Sequence, residues 1–345
     1  MKNIKKSQAV SLNQAFIAGA DMSTREKEIL KNIISQTDFT PKKIIWRSSY
    51  WGTSQIGAVH YRGTFKNKPA VLKIQGVKPG VSEIYMIKQF TAQNRSKIIK
   101  PPNLLATIPW NDAKHYEALI MECVTGRKVL QSKKLQSRQN IKKFLDYYQE
   151  YRKNCLPKNP WLPKPKKIKW EEELQKAILT SKRAYPSHPF RKPTDKKLIE
   201  QAASLLEKIY EKVSLEFVHG HFSVEDLAYQ DGEVVLFSNL FWKWKYPFCD
   251  AVFGYHWFMY ELAHVKEIKP TLIEEQREIW LSELFNLPWV KKSPKNKRLA
   301  KAALLERAIA GLIIDSFLVD QKRSIAKYLT ESTRNQVKTL LAELS

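Results

Sequence analysis

The most informative segment of this chain reads His219-Gly220-His221-Phe222-Ser223-Val224-Glu225-Asp226-Leu227, and an apolar run that ends at Asn239 follows it. This pattern predicts a strand end, a tight polar loop and a short hairpin whose second strand ends at Asn239. We call residues 219–239 the site loop. Its polar side chains cannot all belong to the core, because two of them follow His219 closely and another ends the apolar run. We therefore expect the site loop to present His221, Asp226 and Asn239 to a ligand.

The length and composition of the chain indicate a folded protein with a large core. It has 345 residues, of which 43% are hydrophobic and 11% aromatic, enough for two lobes and too apolar for a disordered chain. No run approaches the roughly 18 consecutive apolar residues of a membrane-spanning helix, so we expect no transmembrane segment. Residues 9–20 are too interrupted by polar side chains for a signal peptide. The three cysteines lack ligand-like spacing, which favours reduced thiols in a cytoplasmic protein.

The formal net charge of +25 favours polyanionic partners such as nucleic acid, an anionic membrane surface or phosphorylated ligands. The alternative is a lysine-rich composition that only solvates the surface, since the basic residues are spread widely. The basic segment 127–169 is interleaved with aromatic residues, namely Tyr147, Tyr148, Tyr151, Trp161 and, just beyond it, Trp170. Such a segment can bind single-stranded nucleic acid through charge and stacking, although aromatic residues on a helix stripe usually belong to the core.

The predicted elements form a β-rich part followed by a helical part. Residues 1–40 are predicted to form an arm and one helix, and Pro41 then breaks the chain. Strands are predicted over residues 43–51, 58–65, 70–74, 104–108 and 117–122, with a helix over 82–90. Residues 41–125 thus form a β-rich lobe, Gly126 acts as a hinge, and residues 126–345 form a helical lobe. This order indicates an α+β fold, whose cleft between the lobes is the expected ligand site.

Lys73 interrupts an apolar strand, so its charge needs a partner or a ligand. Glu83 lies ten residues further on, at the start of the next predicted helix. A Lys–Glu pair at this place can present an ammonium group to the phosphates of ATP. The alternative is a lysine on the solvent face of an edge strand. The loop around Ser54 joins the first two strands, where its hydroxyls and amides either cradle phosphate or form an ordinary hairpin.

The motif His219-Gly220-x-Phe222-x4-Leu227, the downstream Asp250 and the order of the lobes together resemble the aminoglycoside phosphotransferase and choline kinase-like family. That family typically shows His-Gly-Asp-x4-Asn, then a metal-binding Asp that closes an apolar strand. A later motif follows, whose last Asp braces the loop. The resemblance covers about residues 40–265.

The resemblance implies a bilobal protein-kinase-like fold, with a β-rich N-lobe and a mainly helical C-lobe, that binds ATP and Mg²⁺. Lys73 and Glu83 match the pair that positions the nucleotide. The segment from Glu122 to Val124 matches the one whose backbone binds the edge of adenine. In the family the basic segment 127–169 flanks the acceptor pocket, so an anionic acceptor is an alternative to nucleic acid.

On the acceptor side, His219 and Asp250 match residues that brace the site loop. The family's catalytic Asp falls on His221, whose imidazole can serve as a general base near neutral pH. The family's metal-binding Asn falls on Asp226 and its metal-binding Asp on Asn239. This reciprocal exchange keeps one carboxylate for Mg²⁺, which also accepts phosphate oxygens and water as ligands.

These roles predict ATP-dependent transfer of phosphate to a hydroxyl group of a small molecule. Because both aspartates of the catalytic and metal positions are replaced, a second hypothesis is a catalytically inactive, pseudokinase-like module that binds nucleotide or acts as a scaffold. A third hypothesis is a basic nucleic-acid-binding protein that uses the basic segment 127–169.

Overall fold

The computed structural model describes residues 23–49, 56–184, 187–319 and 323–345, which fall into two units. The first unit holds the chain up to Ala92, residues 101–125 and Ala184. The second holds residues 93–100, 126–183 and 187–345. The first is rich in β-strands and the second in α-helices, which confirms the predicted α+β order.

The β-rich unit is built on one antiparallel sheet and two helices. The elements of this part of the chain are α1 (Ser23–Ile34), β1 (Phe39–Ser49), β2 (Ile56–Phe65), β3 (Lys68–Gln75), α2 (Glu83–Gln93), β4 (Ile99–Lys100), β5 (Leu104–Asn111) and β6 (Tyr116–Glu122). Five of the strands form one sheet, as the sequence predicts, and their order is β1-β2-β3-β6-β5, whereas β4 pairs within the other unit.

Different helices cover the two faces of this sheet, because side chains alternate along each strand. One face joins α1 in a core of buried side chains that includes Ile29, Ile33, Val59, Ala70, Leu72, Ile74, Ala118 and Ile120. The other face packs against α2 through Ile84, Ile87, Leu119 and Met121. Lys73 follows Leu72 on β3 and therefore lies on the α2 face.

Strand β1 runs through Pro41, where the sequence predicts a break in the chain. Pro41 lies on the edge strand of the sheet, opposite Gly63, and the register shifts between Pro41 and Lys43. Proline lacks the N–H donor that a central strand needs, so it is tolerated at edges and at bulges. The predicted break is wrong because the strand bulges at Pro41 and continues.

Besides β4, the helical unit contains five short strands and eight α-helices among the described residues. Its strands are β7 (Arg127–Lys128), β8 (Glu216–Val218), β9 (Leu227–Gln230), β10 (Glu233–Leu236) and β11 (Lys243–Lys245). Its helices are α3 (Arg138–Glu150), α4 (Trp170–Ala184), α5 (Asp195–Tyr210), α6 (Cys249–Glu261), α7 (Pro270–Asn286), α8 (Pro288–Lys291), α9 (Pro294–Ile313) and α10 (Ser324–Leu344). The strands form a sheet in the order β4-β10-β9-β7 and a separate β11-β8 pair.

Local sequence signals explain where several of these helices begin. The Ser137 hydroxyl accepts a hydrogen bond from the Asn140 backbone N–H at the start of α3, and Ser293 caps α9 in the same way. Pro270 and Pro294 occupy first-turn positions, where a missing N–H costs nothing. No helix in the described part of the chain is both long enough and apolar enough to span a bilayer.

The site loop connects β8 to β11 and contains the β9–β10 hairpin. The hairpin turns at Asp231 and Gly232, which both have positive φ, as a type I′ turn requires. The sequence predicts this hairpin but ends its second strand at Asn239. In the structure β10 ends at Leu236, and Asn239 instead opens a short 3₁₀ turn that runs to Phe241.

Candidate functional site

Lys73 and Glu83 form a buried ion pair in the β-rich unit, with side chains only 13% and 6% exposed. Strand β3 is central in its sheet, so Lys73 is neither on an edge strand nor facing solvent. His60 is its register partner on β2, and burial together with the Lys73 charge lowers the pKa of His60 to about 3. The Lys73 ammonium therefore has a neutral imidazole beside it and Glu83 as its counter-charge. Its contact with nucleotide phosphates stays a prediction.

Glu117 holds the first turn of α2, and with it Glu83, in place. Its carboxylate accepts the Ser82 hydroxyl at 2.5 Å and the Glu83 backbone N–H at 3.3 Å. Burial raises the pKa of Glu117, while both hydrogen bonds oppose that rise. A carboxylate at a helix N-terminus satisfies N–H groups that the helix itself leaves unpaired.

The segment predicted to meet adenine ends the β-rich unit. Both carboxylate oxygens of Glu122 are bound by Asn103, through its backbone N–H at 3.0 Å and its side-chain amide at 2.8 Å. The backbone N–H and C=O of Val124 make no hydrogen bond to other backbone groups in the described part of the chain. The adenine contact remains a prediction. Ser54, predicted to line the phosphate loop, lies outside the described residues.

Asp250 and Tyr151 brace the beginning of the site loop in the helical unit. The backbone N–H of Gly220 donates to Oδ1 of Asp250 at 2.8 Å, and that of His219 donates to the Tyr151 hydroxyl at 2.6 Å. The Tyr151 hydroxyl in turn donates to Oδ2 of Asp250 at 2.7 Å. Burial raises the pKa of Asp250, and the hydrogen bonds from Tyr151 and Gly220 partly offset this effect. These hydrogen bonds fix the backbone of His219 and Gly220, while the family roles predicted for His219 and Asp250 stay predictions.

Glycine is the only residue type that fits at position 220, where the braced loop begins. Its φ of +74° lies in the left-handed region, and an added Cβ would come within 2.6 Å of the carbonyl oxygen of Phe241. Lys243 packs against the same spot, since its Cε would also lie 2.6 Å from that Cβ. Burial lowers the pKa of Lys243. The chain direction at the start of the site loop therefore depends on a missing side chain.

Three side chains converge on the carboxylate of Asp226. Nδ1 of His221 lies 2.7 Å from Oδ2, the Ser223 hydroxyl also donates to Oδ2, and the Ser238 hydroxyl donates to Oδ1. Burial alone would raise the pKa of Asp226. The charge of His221 and these three hydrogen bonds outweigh burial and hold the pKa of Asp226 at about 2. The carboxylate is therefore an anion throughout the neutral pH range.

The carboxylate of Asp226 fixes the tautomer and orientation of His221. An ionised carboxylate only accepts hydrogen bonds, so Nδ1 carries the proton that it donates to Asp226, and Nε2 is the ring nitrogen left to exchange a proton with a ligand. The imidazole packs against the rings of Phe241 and Phe253, each at a centroid distance of 4.4 Å. No described residue donates a hydrogen bond to Nε2. A ring oriented by a carboxylate with its other nitrogen free has the geometry of a general base.

Asn239, the second predicted metal ligand, is fully buried and engaged at both ends of its amide. Its nitrogen donates to the carbonyl oxygen of Leu236 at 2.9 Å, and its oxygen accepts from the Trp242 indole at 3.1 Å. In this arrangement Asn239 fixes the 3₁₀ turn after β10, and it would have to give up these bonds to bind a metal. The metal-binding role of Asn239 stays a prediction, because both polar atoms of its amide already form hydrogen bonds.

Asp226 offers a magnesium ion limited space. A carboxylate has about four lone-pair positions, and three of those on Asp226 already accept hydrogen bonds. One position on Oδ1 remains, next to the Ser238 hydroxyl. Such a donor set fits Mg²⁺ only if phosphate oxygens and water supply most of its ligands. Among the described residues, no three His, Cys, Asp or Glu side chains come together as a metal site.

The sequence did not single out Tyr151, Ser223, Ser238 or Lys243 as parts of the site. Ser223 had a signal, because Ser-x-x-Asp is a spacing at which a hydroxyl and a carboxylate meet in a turn. Ser238 adopts a positive φ of 59°, which a sequence does not reveal for a serine. Tyr151 begins a π-helical turn, Tyr151–Cys155, directly after α3, and such widened turns are frequent at functional sites.

The aromatic residues interleaved with the basic segment 127–169 belong mostly to the core. Tyr148, Tyr151 and Trp170 are buried, and Trp161 packs edge-on against Phe217 and Trp242. Tyr147, on the surface of α3, and Trp161 are half-buried. Most of the aromatic residues that the nucleic-acid hypothesis needs for base stacking are therefore not accessible to bases.

The fold has clear counterparts among solved structures. A thermostable mutant of aminoglycoside phosphotransferase APH(4)-Ia, in a ternary complex with ADP and hygromycin B, is 12% identical and superposes with a TM-score of 0.55 over 90% of this chain and 97% of its own. Choline kinase from Cryptosporidium parvum Iowa II is 15% identical, with a TM-score of 0.57 over 92% of this chain and 97% of its own. An amicoumacin kinase in complex with AMP-PNP, Ca²⁺ and Ami is 16% identical, with a TM-score of 0.52 over 92% and 95%.

This chain therefore has the protein-kinase-like fold of aminoglycoside phosphotransferases and choline kinases, which confirms the predicted fold. At such low identities the likeness concerns the fold alone. No family model and no curated protein sequence matches the chain.

Proposed function

We propose that this protein is a phosphotransferase that moves the γ-phosphoryl group of ATP to a hydroxyl group of a small molecule, with His221 as the base. The observation that carries the proposal is the 2.7 Å contact between Nδ1 of His221 and Asp226. It leaves Nε2 of His221 without a hydrogen bond from any described residue, and the resemblance in sequence matches His221 to the family's catalytic Asp. The likeness to solved kinases adds a fold in which such chemistry occurs.

In this mechanism His221 removes the proton from the acceptor hydroxyl. The proton passes to Nε2 while the acceptor oxygen forms a bond to the γ-phosphorus, and the bond from that phosphorus to the β–γ bridging oxygen breaks to release ADP. Asp226, an anion at neutral pH, stabilises the imidazolium ion that results. A positioned general base of this kind contributes about 10²- to 10⁴-fold to a reaction rate.

In this mechanism different groups bind the phosphates and the adenine of the nucleotide. Lys73, kept in place by Glu83, contacts the phosphates, and the backbone of Val124 meets the adenine edge. When bound, Mg²⁺ would neutralise phosphate charge, and the free lone pair of Asp226 beside Ser238 would hold it. Lys243 packs against Gly220 and adds positive charge near the beginning of the site loop. An acceptor that is itself anionic would suit these surroundings.

Nucleotide binding is tested by the thermal unfolding of the protein with ATP, with and without Mg²⁺. At a ligand concentration of 100 times Kd, binding stabilises the folded state by about 2.7 kcal/mol. The Lys73→Ala variant should lose most of this shift. Because Lys73→Ala also leaves buried Glu83 unpaired, the quantity compared is the shift on adding ATP and not the Tm itself. Lys78→Ala, which removes an exposed lysine paired with Asp112 in the same unit, is the control. Absence of any shift in the wild type would overturn nucleotide binding.

The occupancy of Asp226 and Asn239 favours a second candidate, a pseudokinase-like module that binds nucleotide without transferring phosphate. Both predicted metal ligands already accept hydrogen bonds from nearby side chains, Asp226 from Ser238 and Asn239 from Trp242. The two candidates differ in product formation. ADP release that rises on adding a member of a panel of aminoglycosides, amino alcohols and phosphorylated sugars, above the rate with ATP alone, supports the transferase. Binding of ATP with no ADP formed under any of these conditions supports the module.

A further inference from the structure

A second concave site lies within the helical unit, between the sheet and α3. This basic pocket has a volume of about 360 Å³. It is lined by residues of β7, β9, the chain that leads into α3 and α3 itself, namely Arg127, Lys128, Gln131, Lys134, Asn140, Lys143, Tyr147 and Tyr229 among others. It shares only Tyr229 with the site loop and contains none of the residues given a role in phosphoryl transfer.

The pocket gathers positive charge without a balancing acid. No Asp or Glu is among its lining residues. Lys128 is the one lining cation with a carboxylate nearby, because its ammonium lies 3.5 Å from Glu225. Arg127, Lys134 and Lys143 form no ion pair with any described residue. Like charges held together repel, so three unpaired cations around one concavity favour an anionic ligand.

The ring of Tyr229 holds two of these cations in position. The Arg127 guanidinium carbon lies 6.0 Å from the ring centroid, and the Lys143 ammonium lies 5.8 Å from it. The negative face of an aromatic ring attracts cations, so Tyr229 offsets part of their mutual repulsion and orders both side chains. Tyr147 adds a hydroxyl donor to the same pocket, and burial raises its pKa, which keeps that hydroxyl protonated.

We propose that the basic pocket binds a phosphorylated small molecule with at least two negative charges. Two ammonium groups and a guanidinium provide the charge-assisted donors that phosphate oxygens accept, and guanidinium can bind two of them at once. The volume is at the lower end of the range for small-molecule sites, roughly 300–1,000 Å³. A small phosphorylated molecule suits this pocket better than nucleic acid does. The aromatic residues that would stack on bases are mostly buried in the core.

The test is calorimetric titration of the full chain with inorganic pyrophosphate, without divalent cations and at low ionic strength. The Lys73→Ala variant serves as the background, so that binding at the nucleotide site is weakened. We expect Arg127→Gln with Lys143→Gln to weaken pyrophosphate binding about tenfold or more, since each substitution removes a charge-assisted contact. The matched control is Lys142→Gln with Lys196→Gln. It removes the same charge from two exposed helix surfaces, where these lysines lie near Asp146 and Glu200.

Each outcome decides the proposal. Loss in the pocket variant with binding kept within about twofold in the control supports the basic pocket, because only the pocket charges then matter. Equal loss in both variants would show a general effect of net charge and overturn it. Unchanged binding in the pocket variant, or no binding of pyrophosphate at all, would overturn it as well. Tighter binding of a single-stranded oligonucleotide than of pyrophosphate, lost in the pocket variant, would assign the surface to nucleic acid instead. Circular dichroism of each variant checks that the fold is retained.

Discussion

The Tyr151 hydroxyl lies 2.7 Å from Oδ2 of Asp250, although 99 residues separate them in the chain. The same hydroxyl accepts the backbone N–H of His219, and the other oxygen of Asp250 accepts that of Gly220. One tyrosine and one aspartate thus satisfy two successive amide groups of a loop that has no strand partner there. The position of His221, one residue further on, depends on this brace.

Tyr151→Phe should destabilise the protein more than an ordinary loss of a hydroxyl. It leaves the His219 N–H without its acceptor and buried Asp250 without one of its donors. Unsatisfied buried groups cost about 1–3 kcal/mol each, so we expect a loss of about 2–4 kcal/mol in the free energy of unfolding, measured in urea. Tyr147→Phe, on the neighbouring turn of α3, is the control and should change stability by less than about 0.5 kcal/mol. Similar losses in both variants would argue against the brace.

Gly220→Ala should be costly for two separable reasons, the positive φ and the collision with the carbonyl oxygen of Phe241. Gly232→Ala tests the first alone, because Gly232 has a φ of +86° but no atom within 4 Å of the added Cβ. A strained backbone costs on the order of 1–3 kcal/mol, so Gly232→Ala should lie in that range and Gly220→Ala clearly above it. Gly80→Ala, with open space and no positive φ, should be close to neutral. Equal effects at Gly220 and Gly232 would contradict the collision.

The pKa of Asp226 predicts a stability that falls in acid. Its pKa in the folded state, about 2, lies below the ordinary value of 3.8, so folding favours the ionised form. This contribution is complete above about pH 5 and is lost as the pH falls from about 4 towards 2. The difference in unfolding free energy between the wild type and Asp226→Asn should therefore change by about 2 kcal/mol across that window. Ser238→Ala, which removes one donor to Asp226, should reduce the change. Parallel pH profiles of the wild type and Asp226→Asn would refute this prediction.

His221→Gln should separate the hydrogen bond of His221 from its basicity. A glutamine amide can still donate to Asp226, but it cannot accept a proton. If the protein transfers phosphate, the rate should fall about 10²-fold or more while the thermal shift with ATP stays close to that of the wild type. His264→Gln is a matched substitution in the same unit, where His264 contacts Glu261. An unchanged rate in His221→Gln would exclude His221 as the base.

The sequence alone was sufficient for the number and approximate positions of the strands in the β-rich sheet, because alternation along strands is a strong local signal. The face that carries Lys73 follows from the alternation of Ala70, Leu72 and Ile74, and the spacing to Glu83 fits the first turn of a helix on that face. The passage of β1 through Pro41 could not be read in this way. It depends on β1 being an edge strand, and strand order is a property of the whole sheet.

The site loop was predictable in its position and much less in its contacts. The spacing of polar residues places His221 and Asp226 in one loop. It cannot show that the Asp226 carboxylate accepts hydrogen bonds from His221 and two serines. Nor can it show that Asn239 is directed towards Trp242, since that depends on a 3₁₀ turn and a positive φ at Ser238. Such details are set by tertiary packing and by backbone conformations that local sequence preferences do not determine.

The parallel pairing of β4 with β10 has a consequence for any attempt to divide this protein. The chain leaves the β-rich unit after Ala92, contributes Ile99 and Lys100 to the sheet of the helical unit, and then returns. A fragment that ends at Thr125 would carry β4 without its partner, leaving the fully buried side chain of Ile99 exposed. A fragment that begins at Gly126 would lack the strand that covers one edge of β10. We therefore expect neither fragment to be as stable as the same part of the intact chain, because one stretch of backbone completes the sheet of the helical unit from within the sequence of the β-rich unit.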